Sequence, residues 1–332
     1  MAVDLWTPAG RALLRRLVQS SDVLVENFRP GVLAALGLDD EWLGAEAPNV
    51  VVASISGFGH VGPLSDDACF DQVAQGMSGF MSLTGTAESG PVRAGIPIAD
   101  LVSGVFAALG ICAALAGGEG GRRVQTSLLE SMMALLVFQG QRQVSLGETP
   151  GVAGNDHPVV SPYGVFPTAD LPINVAAATP GQWGKLCEII ERPHLVDDPR
   201  FRDPAGRDAN RMALRRELEG VLRTRTAAEW LARFRDASVP AGPVHDLAGA
   251  FDDPQVVALR MVENALHPTL GVVPVVRGPV WFDGEPLHVR QSSPMHGEHS
   301  RQVLLECGLT EAEVAVLIET GAVREWEGLQ QR

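Results

Sequence analysis

The chain has 332 residues, 45% apolar and 20% charged, with 26 basic and 40 acidic side chains and a formal charge of −14. That composition excludes wholesale disorder, collagen-like repeats and a disulfide-stapled miniprotein, and the length allows two domains with a sizeable core. The negative balance argues against binding a bare nucleic-acid backbone or an anionic membrane surface, although a local pocket can oppose the global field around a small anion.

Thr7-Pro8 predicts a helix start, with Thr as cap and Pro at the first helical position. Leu13, Leu14, Leu17 and Val18 follow at helical spacing. Asp22–Val25 predicts a short buried strand, Val32–Leu38 a short helix, and the β-branched run Val50–Ser56 a strong strand. This alternation argues for an α/β domain with a parallel sheet. Asp71–Met81 and Leu101–Ala116 predict packed helices. The apolar run Leu101–Gly118 reaches the lower limit of a membrane span. It is dominated by Ala and Gly, carries Ser103 and lacks aromatic belts or basic flanks, so it reads as a buried helix of a soluble core. Val124–Ser127 predicts a strand leading into a helix over Leu128–Phe138. Gly147–Pro162 is polar and broken by Gly and Pro, as a linker would be. Tyr163–Phe166 and Ile173–Ala177 then predict strands of a second unit, followed by helices over Pro180–Ile190, Asn210–Leu222 and Ala227–Ala237. A mixed region leads to a last helix pair, Ser300–Gly308 and Thr310–Thr320.

Cys69, Cys112, Cys187 and Cys307 form no C-x-x-C pair, and Met1–Gly10 has no basic start before an apolar run. Both features point to a reducing, cytoplasmic setting, with the cysteines as small core residues. Gly57-Phe58-Gly59-His60-Val61-Gly62 matches G-x-G-x-x-G, but Pro63 and Ser65-Asp66-Asp67 continue as a loop where a dinucleotide site needs a helix. The bland reading is a tight turn at the carboxyl end of a strand, which can still border a ligand crevice. His296-Gly297-Glu298-His299 lies in an apparent surface turn, and no metal is expected.

Asp100 is the carboxylate that stands out, at the mouth of the small-residue helix in Ile96-Pro97-Ile98-Ala99-Asp100. Its bland reading is an N-cap. The functional reading is compatible with it: the helix N-terminus keeps a carboxylate ionised while apolar surroundings limit its hydration, and such a group can attack an acyl carbon. Asn27-Phe28-Arg29-Pro30-Gly31 reads either as a connecting loop or as a nucleotide-facing one. In the latter, Phe28 stacks on a base, Asn27 hydrogen-bonds it and Arg29 meets a phosphate.

Several segments in the same order resemble the signature of family III CoA-transferases, the CaiB/BaiF family. They are Val23–Gly31, Ser54–Gly59 with Gly62-Pro63, Phe70–Gly76, Ile98-Ala99-Asp100 with Gly104, Asp198–Phe201, Val239–Val244 and Gly297-Glu298-His299. The resemblance implies CoA transfer from an acyl-CoA to a free carboxylic acid through a covalent aspartyl-CoA intermediate. Asp100 matches the family nucleophile, and Asn27 and Phe28 the residues facing the CoA adenosine; Arg29 joins them through its own chemistry, as a phosphate contact. Gly57, Gly59 and Asp71 would support the site. It also implies a Rossmann-like large domain over 1–147, a linker over 148–162, a second, smaller α/β domain over 163–243, and a linker and return to the large domain over 244–332. An interlocked homodimer would share its sites between chains.

The departures carry information too. Family members have a further βαβ segment ahead of the position matching Ala2, so a truncated chain, or a non-catalytic subunit or remnant, is an alternative. Trp6 and Ala35 stand where relatives have Lys or a CoA-contacting Arg, and the Gly-rich loop of some transferases is not evident after Pro162. Acyl-CoA racemases of the family carry a His directly before the Asp matched by Asp71. Phe70 stands there and cannot move a proton, so transfer is favoured over racemisation.

Overall fold

The computed structural model describes residues 1–118 and 120–328, so the last four residues of the 244–332 assignment lie outside the described part. Strand β1 (Ala2–Val3) leads into helix α1 (Pro8–Gln19). Thr7 caps α1 by accepting the Gly10 N–H at 3.0 Å, and Pro8 occupies the first turn. Strand β2 (Val23–Glu26), helix α2 (Asp40–Glu46) and strand β3 (Val51–Ser56) follow. β3 is the middle strand of a parallel sheet in the order β2–β3–β4, where β4 is Arg123–Ser127. Val51, Val52 and Ala53 are buried, as a middle parallel strand covered on both faces requires. The β3-to-β4 crossover holds a loop over 57–70, helix α3 (Asp71–Met77) and helix α4 (Ile98–Ala116). Helix α5 (Leu128–Leu135) starts directly from β4, capped by Ser127.

Helix α4 corrects one expectation. Only its small-residue face is buried, through Ala99, Ser103, Ala107 and Ala114. Gly110 belongs to this face: a Cβ there would lie 2.6 Å from Val124 Cγ1, so the missing side chain lets α4 approach β4 closely. Leu101, Val105 and Leu109 on the other side are 54%, 66% and 65% exposed. The helix is therefore half-covered within the chain rather than buried. By length and composition it also suffices to cross a membrane. The cysteines divide as well: Cys187 is buried, Cys69 and Cys307 are half-buried, and Cys112 is exposed, against the expectation of four core residues.

The second unit is an antiparallel sheet of β5 (Tyr163–Phe166), β6 (Ile173–Ala176) and β7 (Ala241–Pro243), with helices α6 (Pro180–Ile189), α7 (Arg211–Leu222) and α8 (Ala227–Asp236). Capping boxes at Thr179 and Thr226 start α6 and α8. Trp183, Leu186, Phe201, Leu214 and Trp230 form its core. The Trp230 indole N–H, buried there, donates to the Leu222 carbonyl at 2.7 Å.

Strands β8 (Val262–His267) and β9 (Gly271–Val276) then form a hairpin in the stretch expected only to be mixed. Helices α9 (Ser300–Glu306) and α10 (Glu311–Glu319) lead to β10 (Val323–Arg324), which pairs antiparallel with β1. The first unit comprises Met1–Ser82, Arg93–Pro150 and the chain from Leu259 on; the second comprises Leu83–Val92 and Gly151–Ala258. The second unit is thus wider than 163–243. Gly85–Thr86 and Gly90–Pro91 pair as a short hairpin tied to the segment after residue 150, because the Gly154 N–H donates to the Gly85 carbonyl at 2.9 Å.

Candidate active site

The parallel register sets Ser56 beside Ser127 and Glu26 beside Ser54, so the loops after β2 and β3 leave the sheet at the same edge. Ligand crevices of parallel sheets lie at such carboxyl ends. The Asn27-Phe28-Arg29 loop follows β2 and is held by the Phe28 N–H, which donates to Glu26 Oε2 at 2.9 Å. Gly57 ends β3. A Cβ there would lie 2.2 Å from Cys69 Cβ, so glycine lets the loop fold back against the strand. Gly59 has φ +104° and donates its N–H to Ser56 Oγ at 3.1 Å, which closes the turn.

These elements enclose a cavity of about 460 Å³ in the first unit. Asn27, Phe28, Arg29, Gly57 and Asp100 all line it. Gly59 and Asp71 do not; they hold the turn and the helix start behind it. Loop residues that the sequence did not single out, Ser65, Asp67 and Cys69, complete the wall with Phe70. Phe70 is 78% exposed and bonds nothing through its side chain, so no acid–base group stands at that point of the lining. An adjoining cavity of about 630 Å³ shares Phe28, Arg29 and Pro30, and adds His60 and Arg123. Arg123 is paired with Asp40. A groove of about 520 Å³ between α1 and α10 is lined by Leu13, Val316 and Leu317, and its carboxylate, Glu313, is held by the Thr310 N–H and hydroxyl and by Arg16. No cluster of three His, Cys, Asp or Glu side chains that could hold a metal is found among the described residues.

Asp100 is the third residue of α4 and not its cap; the cap position is Pro97, which has no side-chain acceptor. The N-cap reading of Asp100 is thereby corrected. Partial burial raises the Asp100 pKa above the ordinary carboxylate value, and the like charge of Asp71 raises it further. Desolvation and Asp71 thus work against the ionised form that the helix end was expected to favour. Burial likewise raises the Cys69 thiol.

Asp71 meets α4 through its backbone. Asp71 Oδ1 accepts the Ala99 N–H at 2.7 Å. Asp71 Oδ2 accepts from Gln75 Nε2 at 2.5 Å, and Gln75 Oε1 accepts the Ala94 N–H at 2.8 Å. Sequence reasoning missed Gln75, although the Asp71–Gln75 separation of one helical turn was the signal for a paired face.

The profile of CoA-transferase family III matches residues 1–300. A succinate–glutarate CoA-transferase of Agrobacterium fabrum is 38% identical over 312 residues, which span 92% of this chain and 77% of that protein. An acetyl-CoA:oxalate CoA-transferase of Acetobacter aceti is 34% identical over 317 residues, spanning 94% of this chain and 80% of that one. The crystal structure of a CaiB/BaiF family protein from Brucella suis aligns with TM-score 0.79 at 35% identity, covering 92% of this chain and 80% of that chain. Fold, sequence profile and named relatives agree, and the chain belongs to CoA-transferase family III, the CaiB/BaiF family.

Proposed function

We propose that the chain moves CoA from an acyl-CoA to a free carboxylic acid, with Asp100 as the nucleophile. The observation that carries this reading is the position of Asp100. Its carboxylate takes part in no hydrogen bond among the described residues and lines a cavity that also holds Phe28 and Arg29. A carboxylate Oδ attacks the thioester carbonyl, the C–S bond breaks, and a mixed anhydride and CoA thiolate form. The thiolate then attacks Asp100 Cγ, the Cγ–O bond breaks, and the donor acid leaves as a carboxylate. The resulting aspartyl-CoA thioester is attacked by the acceptor carboxylate, and the same two steps run in reverse. No water, proton or electron is consumed. Partial desolvation favours the attack, since a poorly hydrated carboxylate is the better nucleophile.

Phe28 and Arg29 border both cavities, which supports the adenosine and phosphate parts of CoA lying across that shared wall. Asn27 would hydrogen-bond the base. Phe70 in the lining supports transfer over racemisation, which needs a second acid–base group at the α-carbon. The relatives' names support short dicarboxylic acids as the first substrates to try. Four free thiols support a reducing, cytoplasmic setting.

The uncovered Leu101, Val105 and Leu109 face of α4, together with exposed Leu266, Val272 and Val276 on the β8–β9 hairpin, supports a homodimer. The direct test is chromatography of acyl-CoA products from succinyl-CoA and glutarate. Wild type is expected to make glutaryl-CoA, and Asp100→Ala to lose on the order of 10³-fold or more in kcat. Equal rates in the two proteins would contradict the assignment.

A further inference from the structure

We propose that Asp71, held by Gln75, is a positioning residue that caps α4 from outside the helix and so leaves the Asp100 carboxylate free to react. The inference rests on Asp100 being the nucleophile and adds the device that presents it.

The first turn of a helix leaves backbone N–H groups without partners inside the helix, and an acidic side chain nearby is drawn to them. Asp100 lies in that turn, and a carboxylate folded back onto its own helix is withdrawn from a substrate. Pro97 cannot cap, since its side chain has no acceptor. The cap comes instead from α3. Asp71 Oδ1 takes the N–H of Ala99, the residue just before Asp100, at 2.7 Å. Gln75 is fully buried, one turn along α3, and donates to the other Asp71 oxygen.

The orientation of the Gln75 amide is dictated by its two partners. Reversed, it would set its NH₂ against the Ala94 N–H and its oxygen against a carboxylate. The network therefore ties the segment 94–99 at both ends and delivers Asp100 at a fixed place in the lining. The Asp100 side chain makes no hydrogen bond in this network among the described residues; its carbonyl accepts from Ser103 Oγ at 2.9 Å. The like charge of Asp71 makes Asp100 more basic. The other charged or titratable groups around Asp100 are Cys69 and Asp67 in the loop and Arg29 in the lining. On the elements packed against α4, Glu130 of α5 is bonded to Ser127 and Arg123 of β4 is paired with Asp40.

The test separates the cap from the chemistry. Amide hydrogen exchange at Ala99 reads the cap without any substrate: Asp71→Ala and Gln75→Ala are expected to speed it, and unchanged exchange in both overturns the proposal. Steady-state CoA transfer reads the consequence. Asp71→Asn keeps an oxygen for Ala99 but sets an NH₂ against that of Gln75. It is expected to lower kcat about 10- to 100-fold, with KM for acyl-CoA within about threefold. The double variant Asp71→Asn with Gln75→Glu restores a donor facing an acceptor. It is expected to regain most of the lost kcat, with the acid limb of its rate profile at lower pH than wild type. Faster exchange with wild-type kcat, or a double variant that regains the melting temperature but no kcat, overturns the positioning role. A wild type that transfers no CoA defeats the nucleophile assignment, and the exchange result still decides the cap.

Discussion

A carboxyl group whose pKa is raised on folding binds its proton more tightly in the native chain than in the unfolded one. For Asp100 the stabilising contribution of that proton is complete below the unfolded pKa and is lost as pH rises through the higher folded pKa. Once ionised, the group is therefore a net destabilising element, a cost that fits its proposed role as the nucleophile. Asp100→Asn is expected to raise the melting temperature at pH 7 by about a degree or two while abolishing transfer, and thermal melts beside activity assays would show it. Activity should fall as pH drops through the folded pKa, and a rate profile with no acid limb would contradict the assignment. Gly57 offers a second test at this scale. A methyl at this position would press on Cys69 Cβ, so Gly57→Ala is expected to cost about 1–3 kcal/mol in denaturant unfolding and to weaken CoA binding by displacing the loop wall. Asn27, Phe28, Arg29 and Asp100 were legible in the sequence because each group sits in one short segment with a chemical reason to be together. Gln75 and the Ser65–Cys69 wall were not. Their meaning depends on which loop folds back on which strand, and local periodicity does not encode that.

The elements themselves followed from periodicity and caps wherever both were strong, as at Thr7-Pro8 and along Val51–Ser56. Helix α4 shows the limit of that reasoning. Its apolar run specified a helix, and its Ala and Gly content specified close approach to a neighbour, which Gly110 against Val124 provides. Nothing in the run says whether the opposite face is covered by the same chain. The β8–β9 hairpin escaped because Glu263, Asn264 and Pro274 blur the strand signal. The uncovered face of α4 yields a prediction at this scale. Val105→Glu with Leu109→Glu should convert a dimer to a monomer in size-exclusion chromatography with light scattering. A variant that stays dimeric would contradict this face as the contact. A wild type that is monomeric in solution and binds lipid vesicles would assign the face to a bilayer.

At the scale of the whole molecule, the chain forms two units with separate cores. The second is organised around Trp183 and Trp230, and the first gathers a parallel sheet, the capped start of α4 and the cavity. The candidate nucleophile, the Asn27-Phe28-Arg29 loop and the network behind Asp100 all belong to the first unit, although its residues come from three separate stretches of sequence. A net charge of −14 does not forbid an anionic substrate there, because Arg29 stands in the lining of both cavities. The central claim is that Asp100 becomes covalently bound to CoA. Intact-protein mass spectrometry after incubation with succinyl-CoA, in wild type and Asp100→Ala, with and without hydroxylamine, tests it most directly. The predicted result is a CoA adduct on wild type alone, which hydroxylamine cleaves to leave a hydroxamate on Asp100. An adduct of the same mass on Asp100→Ala, or a wild type that turns over with no trapped adduct, would contradict it.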